Sequence, residues 1–251
     1  MTLVLLVRHG LTATTGSVLT GRTPGIPLDD RGRDQAAAVG ARLAAVPLDA
    51  IVTSPLDRCV QTAEAIAAAR NGSPAAVTTD ERVAECKYGD WTGKPLKTLA
   101  KDPLWRVVQA HPSAVTFPGE QGESMLGMQL RAVEAVREHD AAVAAAHGPD
   151  ALWLAVSHAD VIKAVLADAL GMHLDAFQRI VIDPCSVSVV HYTPLRPFTV
   201  RVNDTGGDLA GLLPPKPRRR GRPAARSSDA TVGGSPGSRT LAGAARARTT
   251  P

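Results

Sequence analysis

Five consecutive apolar residues, Leu3-Val4-Leu5-Leu6-Val7, stop at Arg8-His9-Gly10. So short a run without polar alternation fits a strand buried on both faces, and such a strand needs a sheet covered by helices on either side. The pattern recurs at Ala50-Ile51-Val52, at Ala151 to Val156 and, more briefly, at Val77 to Thr79. Ala-rich stretches at helical spacing lie between, over 32–45, 57–70, 123–146 and about 159–170. Late strands are expected over 186–192 and 198–202, joined as a hairpin around Pro194 to Pro197, and 89–118 reads as irregular with one or two short helices. Alternation of this kind predicts an α/β fold, a three-layer sandwich around a mostly parallel central sheet.

Sites in such sheets form beyond the carboxyl ends of the strands. Three ends carry unusual polar chemistry here. The first strand runs into Arg8-His9-Gly10, the second into Thr53-Ser54-Pro55 and then Arg58, and the strand ending at Val156 into Ser157-His158. If these strands are neighbours, two histidines and two arginines share one crevice. Guanidinium groups are fixed, planar and always charged, and they match phosphate oxygens. A histidine held neutral between them can attack phosphorus and carry the phosphoryl group on nitrogen. A second histidine can donate to the equatorial oxygens as charge spreads. The remaining requirement is a proton donor for the leaving oxygen that also activates water. Glu85, in the Gly-containing loop Glu85-Cys86-Lys87-Tyr88-Gly89-Asp90-Trp91-Thr92-Gly93, is the best candidate.

These residues resemble the histidine phosphatase superfamily, which includes the cofactor-dependent phosphoglycerate mutases. The opening signature stands as Val7-Arg8-His9-Gly10-Leu11-Thr12, followed by Thr20-Gly21-Arg22 with Pro27-Leu28 and Gly32. The second block is Ser54-Pro55-Leu56-Asp57-Arg58-Cys59-Val60-Gln61-Thr62-Ala63 and the acid block runs from Glu85 to Gly93. Gly122-Glu123-Ser124 and Val156-Ser157-His158-Ala159 complete six blocks in family order, from residue 3 to about 192. The resemblance implies a phosphoglycerate mutase-like fold over 1–204. It makes His9 the phosphorylated nucleophile, with Arg8, Arg58 and His158 holding the phosphoryl group and Glu85 acting as acid and then base. It implies neither a metal nor an organic cofactor. Thr12, Thr15, Gly21 and Arg22 are the further phosphate-binding candidates, Arg22 being equally readable as loop packing. Two positions depart from the pattern: Thr15 where many members carry Asn, and Ala159 where the last block has Gly.

The mutases resemble this chain in the core but carry a longer insertion bearing an adjacent arginine pair. Here 73 positions separate Glu85 from His158, and 94–122 offers only Lys94, Lys97, Lys101 and Arg106 as cations. A shorter, open segment admits water, which favours a phosphomonoester phosphatase over a phosphomutase. Outside the blocks each residue also has a plainer reading. His158 can follow a helix cap at Ser157, Arg58 can be a solvated helix residue and Glu85 a surface carboxylate. Other chemistries lack their parts: Cys59 and Cys185 have no arginine six positions on, and there is no Gly-x-x-x-x-Gly-Lys-Ser/Thr loop, Gly-x-Gly-x-x-Gly fingerprint or His-Glu-x-x-His.

Charge separates the chain into two parts. Residues 215–251 hold nine Lys/Arg against Asp229, a net +8, whereas the remainder carries 19 basic and 23 acidic residues, a net −4. The overall basic balance therefore says little about the domain. From Thr205 onward the chain has no aromatic residue and is rich in Gly, Pro, Ala, Arg and Ser, so 205–251 is expected to be a disordered basic tail. Its cluster Lys216 to Arg222 allows weak, salt-sensitive contact with nucleic acid, and a non-catalytic binding protein working through that tail is the third reading. Three scattered cysteines and no apolar run of ~20 residues lead us to expect a cytoplasmic chain without a membrane span; the resemblance implies a small phosphorylated substrate. A homodimer is compatible with the resemblance.

Overall fold

The computed structural model describes residues 2–70, 76–207 and 230–237. The elements follow the expected alternation: β1 Thr2–Arg8, α1 Asp30–Leu43, β2 Leu48–Thr53, α2 Asp57–Ala68, β3 Val77–Thr79, α3 Leu96–Leu99, α4 Pro103–Ala110, α5 Met125–His147, β4 Leu152–Ser157, α6 Ala159–Ala169, β5 Val187–Tyr192 and β6 Pro197–Asp204. The strands form one six-stranded sheet in the order β3-β2-β4-β1-β5-β6. β3, β2, β4 and β1 are parallel, and β5 and β6 close one side antiparallel.

Alternate strand residues feed two cores. Leu5, Val7, Ile51, Leu154 and Val156 pack with Ala36, Val39 and Leu43 of α1 and with Cys59, Ala63 and Ile66 of α2. Val4, Leu6, Val52, Trp153 and Ala155 face the other way, onto Met128, Ala132 and Val136 of α5 and the apolar residues of α6. With both faces covered, β1 from Leu3 to Val7 and β4 from Leu152 to Val156 have no room for polar residues, which is why these stretches are unbroken apolar runs.

Local chemistry sets the boundaries. α1 starts two residues earlier than its apolar pattern because Asp29 caps it, accepting from Gly32 N at 2.7 Å. Ser124 caps α5 by accepting from Gly127 N at 2.9 Å, and Gly148, at φ 95°, stops it. Ser157 is not the cap of α6. It ends β4, its hydroxyl donates to the Val83 carbonyl at 2.7 Å, and His158 holds the cap position without a side-chain cap bond.

Most of the expected tail, 208–229 and 238–251 with its basic cluster, lies outside the described residues. Residues 230–237 depart from the expectation of a disordered segment: they lie against the domain, with Val232 only 2% exposed in the α5/α6-side core. One well-buried valine and several backbone hydrogen bonds supply a hold that composition alone does not reveal. Among the described residues no helix is long and apolar enough to cross a membrane.

Candidate active site

Strand order makes the crevice. β4 lies between β1 and β2, with Arg8 opposite Ser157 and Thr53 opposite Val156, so the three polar strand ends sit side by side. Backbone bonds extend the register into the loops: His9 N donates to Ser157 O at 3.0 Å and Ser54 N to Val156 O at 2.9 Å. The turn after His9 lies backbone to backbone against the start of α1. A Cβ on Gly10 would stand 2.5 Å from the Gly32 carbonyl oxygen, and one on Gly32 would stand 2.0 Å from that of Leu11. Glycine at both places is a steric requirement. The Gly10 N–H also donates to the Thr62 hydroxyl at 3.2 Å, tying the turn to α2.

Arg8, His9, Arg58, Glu85 and His158 are all buried, the most exposed of them, His9, at 5%. The rings of His9 and His158 meet edge-on with centroids 5.2 Å apart. His9 Nδ1 lies 2.7 Å from the Gly10 carbonyl, which only a protonated nitrogen can satisfy, so Nδ1 donates and Nε2 keeps its lone pair. Burial, reinforced by the charges of Arg58 and Arg8, holds the His9 pKa well below that of a free imidazole. Neutral His9 with a free Nε2 is the state a nucleophile requires.

His158 is fixed from two sides. Arg58 Nη2 donates to its Nδ1 at 3.3 Å, so Nε2 carries the proton and donates to Ser54 Oγ at 2.8 Å. Burial and then Arg58 lower its pKa strongly. Glu85 Oε2 stands 3.8 Å from His158 Nδ1. Burial, then Asp160, raises the Glu85 pKa to about 7 against the opposing pull of Arg58. With His158 held neutral, this contact is not a salt bridge. A carboxyl half-protonated near neutrality suits proton donation and return.

The arginines retain unused donors. Arg8 Nη1 donates to the Ile182 carbonyl at 2.9 Å and Arg58 Nη2 to the Gly21 carbonyl at 2.8 Å. Among the described residues, Nε and Nη2 of Arg8 and Nη1 of Arg58 have no acceptor although they are buried. Orphaned charged donors are costly unless an anion meets them. Thr12, Thr15 and Gly21 also line the crevice. Thr15 Oγ1 accepts from Thr12 N at 3.0 Å and lies 2.9 Å from the Thr12 hydroxyl. Gly21 contributes its carbonyl, which orients Arg58.

Arg22 lies beside the crevice and lines a neighbouring groove with Lys87 and Thr92. Its Nε donates to the Glu85 carbonyl at 2.7 Å and its Nη1 pairs with Glu81 at 3.1 Å. These contacts accord with the loop-packing reading of Arg22.

Several parts of the site escape sequence reasoning. Asp160 is fully buried and accepts from the Tyr88 hydroxyl at 2.9 Å. Lys163 Nζ is 3.5 Å from its other oxygen. Arg131 of α5 clamps the acid loop, donating to the carbonyls of Arg82, Ala84 and Glu85 at 2.7, 2.8 and 3.1 Å while paired with Glu123. The Glu123 carboxylate also accepts from Lys87 N at 2.7 Å. The available signals were Asp160 two places after His158 and Glu123 in its Gly-Glu-Ser block. Neither says what the residue touches. Cys59 lies near His158, but burial pushes its thiol up to about 12, so it stays protonated.

With this geometry in place, comparison with known proteins settles the family. The model of the histidine phosphatase superfamily (branch 1) matches residues 4–205. The chain belongs to the histidine phosphatase superfamily. Phosphoserine phosphatase 1 of Hydrogenobacter thermophilus is 30% identical over 214 residues, covering 82% of this chain and 93% of its own length. A probable phosphoglycerate mutase GpmB of Cronobacter sakazakii is 32% identical over 218 residues, covering 84% and 95%. Among solved structures, Bacillus stearothermophilus YhfR matches with a TM-score of 0.70 at 28% identity, over 81% of this chain and 98% of that one. A superfamily of phosphatases and phosphomutases makes this chain an enzyme and sets aside the reading of a non-catalytic binding protein.

Proposed function

We propose that this enzyme is a phosphomonoester phosphatase that passes the phosphoryl group through Nε2 of His9. The observation that carries the proposal is the pairing of an unprotonated His9 Nε2 with three buried guanidinium nitrogens lacking acceptors among the described residues. A phosphate dianion bound by Arg8 and Arg58 presents phosphorus to that lone pair. Nε2 attacks in line, the bond from phosphorus to the ester oxygen breaks, and protonated Glu85 gives its proton to the departing oxygen. Glu85, now a carboxylate, takes a proton from water as the water oxygen attacks phosphorus. The phosphorus–nitrogen bond breaks, inorganic phosphate leaves, and both His9 and Glu85 return to their starting states.

His158 answers to the bound anion. The dianion's negative charge offsets the nearby guanidinium charges that hold the imidazole neutral, and it favours the protonated form that donates to a phosphoryl oxygen. Thr12 and Thr15 offer hydroxyls to the same group.

Water rather than a second organic acceptor is favoured by the segment beside the crevice, which carries scattered lysines and Arg106 but no adjacent arginine pair to hold a substrate carboxylate. The mutase reading keeps one support, the names of relatives such as the Cronobacter sakazakii protein. Release of phosphate from p-nitrophenyl phosphate in excess EDTA, wild type beside His9→Ala, tests the reading. EDTA-resistant release that vanishes in the variant is expected. Absence of release from the wild type, with interconversion of phosphoglycerates in its place, would turn the assignment to the mutase.

A further inference from the structure

The crevice is lined on one side by a segment from the far end of the chain. Val232, Gly233 and Gly234 line it together with Arg8, Leu19 and Tyr88. The segment is held at four places. Ala230 and Gln109 exchange two hydrogen bonds, Gln109 Nε2 to the Ala230 carbonyl at 2.8 Å and Ala230 N to Gln109 Oε1 at 2.9 Å. Val232 is the apolar anchor, 2% exposed. Gly233 N donates to Asp160 Oδ2 at 2.9 Å, the oxygen that also accepts from Tyr88. Arg8 Nη1 donates to the Ser235 carbonyl at 2.6 Å.

The last contact places this segment on the phosphate-binding machinery itself. Gly233 and Gly234 adopt φ of 75° and 91°, conformations that favour glycine. A Cβ on Gly234 would lie 2.8 Å from the guanidinium carbon of Arg8 and 2.4 Å from Cβ of Ala159. Only a bare backbone reaches so close to the Arg8 guanidinium, and there Gly234 covers one side of it while the Ser235 carbonyl takes one of its protons.

We infer that residues 230–237 form an intrasteric strap that competes with phosphomonoester substrates for the crevice. The inference rests on the phosphate-site reading above. The strap fills the space beside Arg8 that a leaving group needs, and Ser235 O holds a proton of Arg8 Nη1 while Nε and Nη2 stay open to phosphoryl oxygens. Its hold, one valine and a few hydrogen bonds, is small compared with the packing of the domain, so it detaches without unfolding the sheet. Substrate therefore binds to the fraction of molecules whose strap is out, and apparent affinity falls by that fraction.

The test uses the full chain. Val232→Asp puts a charge at the buried anchor, and Gln109→Ala removes the paired bonds from a helix surface without touching the core. If the strap is docked about nine-tenths of the time, Val232→Asp raises kcat/KM for p-nitrophenyl phosphate about tenfold, and Gln109→Ala gives a smaller rise. In a His9→Ala background, where no turnover is expected, calorimetric affinity for p-nitrophenyl phosphate should rise by the same factor when Val232→Asp is added. Unchanged affinity, or a lower kcat/KM in both strap variants, overturns the strap as a competitor. A rise in affinity while the chain with His9 intact hydrolyses nothing keeps the strap and defeats the phosphatase reading. No binding by any variant defeats both.

Discussion

The floor of the crevice and its rim are built by different means. The floor, with Arg8, His9, Ser54, Arg58 and His158, is made of strand ends and the first turn of α2, locked by neighbouring strands and buried throughout. The rim is made of loops. Glu85 sits on an irregular stretch whose carbonyls are held by Arg22 and Arg131, and the strap at 230–237 closes the opposite side. Under the proposed mechanism, a rigid floor would present one geometry to the phosphoryl group whatever the ester, and the rim would decide which leaving group is protonated and which is admitted.

Breaking the floor should have the largest effect. His9→Ala removes the atom proposed to become phosphorylated, and turnover of every ester tested should vanish, as read by phosphate release. At the rim, Glu85→Gln should slow turnover about 10²–10⁴-fold for alkyl phosphates. The loss should be far smaller for p-nitrophenyl phosphate, whose leaving group hardly needs a proton. An equal loss for both esters would move Glu85 from proton transfer into the floor.

The pH profile separates the two regions. Glu85, raised to about 7, is protonated below that value and loses its proton above it. For esters with poor leaving groups, kcat/KM should therefore fall as pH rises through about 7. His9 and His158 are held well below 6.5 and stay neutral over that range, so the floor contributes no alkaline limb. In Glu85→Gln the limb at about 7 should disappear; its persistence would assign it to another group.

A smaller effect is expected at Arg131, whose hydrogen bonds go to the carbonyls leading into the acid loop and to Glu123. Arg131→Met should lower kcat for alkyl phosphates several-fold and shift the alkaline limb, leaving inhibition by vanadate unchanged because Arg8 and Arg58 are untouched. Weaker vanadate inhibition would mean that the clamp supports the floor as well.

The same division explains what was legible in the sequence. Floor residues follow apolar runs directly, so strand, turn and functional side chain are written within a few positions, as in Val7-Arg8-His9-Gly10 and Val156-Ser157-His158. The α/β sandwich was legible for the same reason, since burial of β1 and β4 on both faces leaves no polar alternation. The rim depends on partners far apart in the chain. The local pattern around Arg131 reads as a helix surface, and nothing there shows that its guanidinium reaches the Glu85 carbonyl, 46 positions away. Arg22 fits phosphate contact or loop packing equally well until its partners are seen. The strap was the hardest to read: Val232-Gly233-Gly234-Ser235 looks like chain too poor in apolar surface to fold, and its meaning lies in a contact with Arg8 across 227 positions.

The central claim is that His9 carries the phosphoryl group, and trapping it tests this most directly. Full-length enzyme mixed briefly with a ³²P-labelled phosphomonoester and quenched in base should hold label that is lost in acid, as a phosphorus–nitrogen bond requires, and that maps to the peptide containing His9. Label that survives acid, or that persists in His9→Ala, would contradict the account.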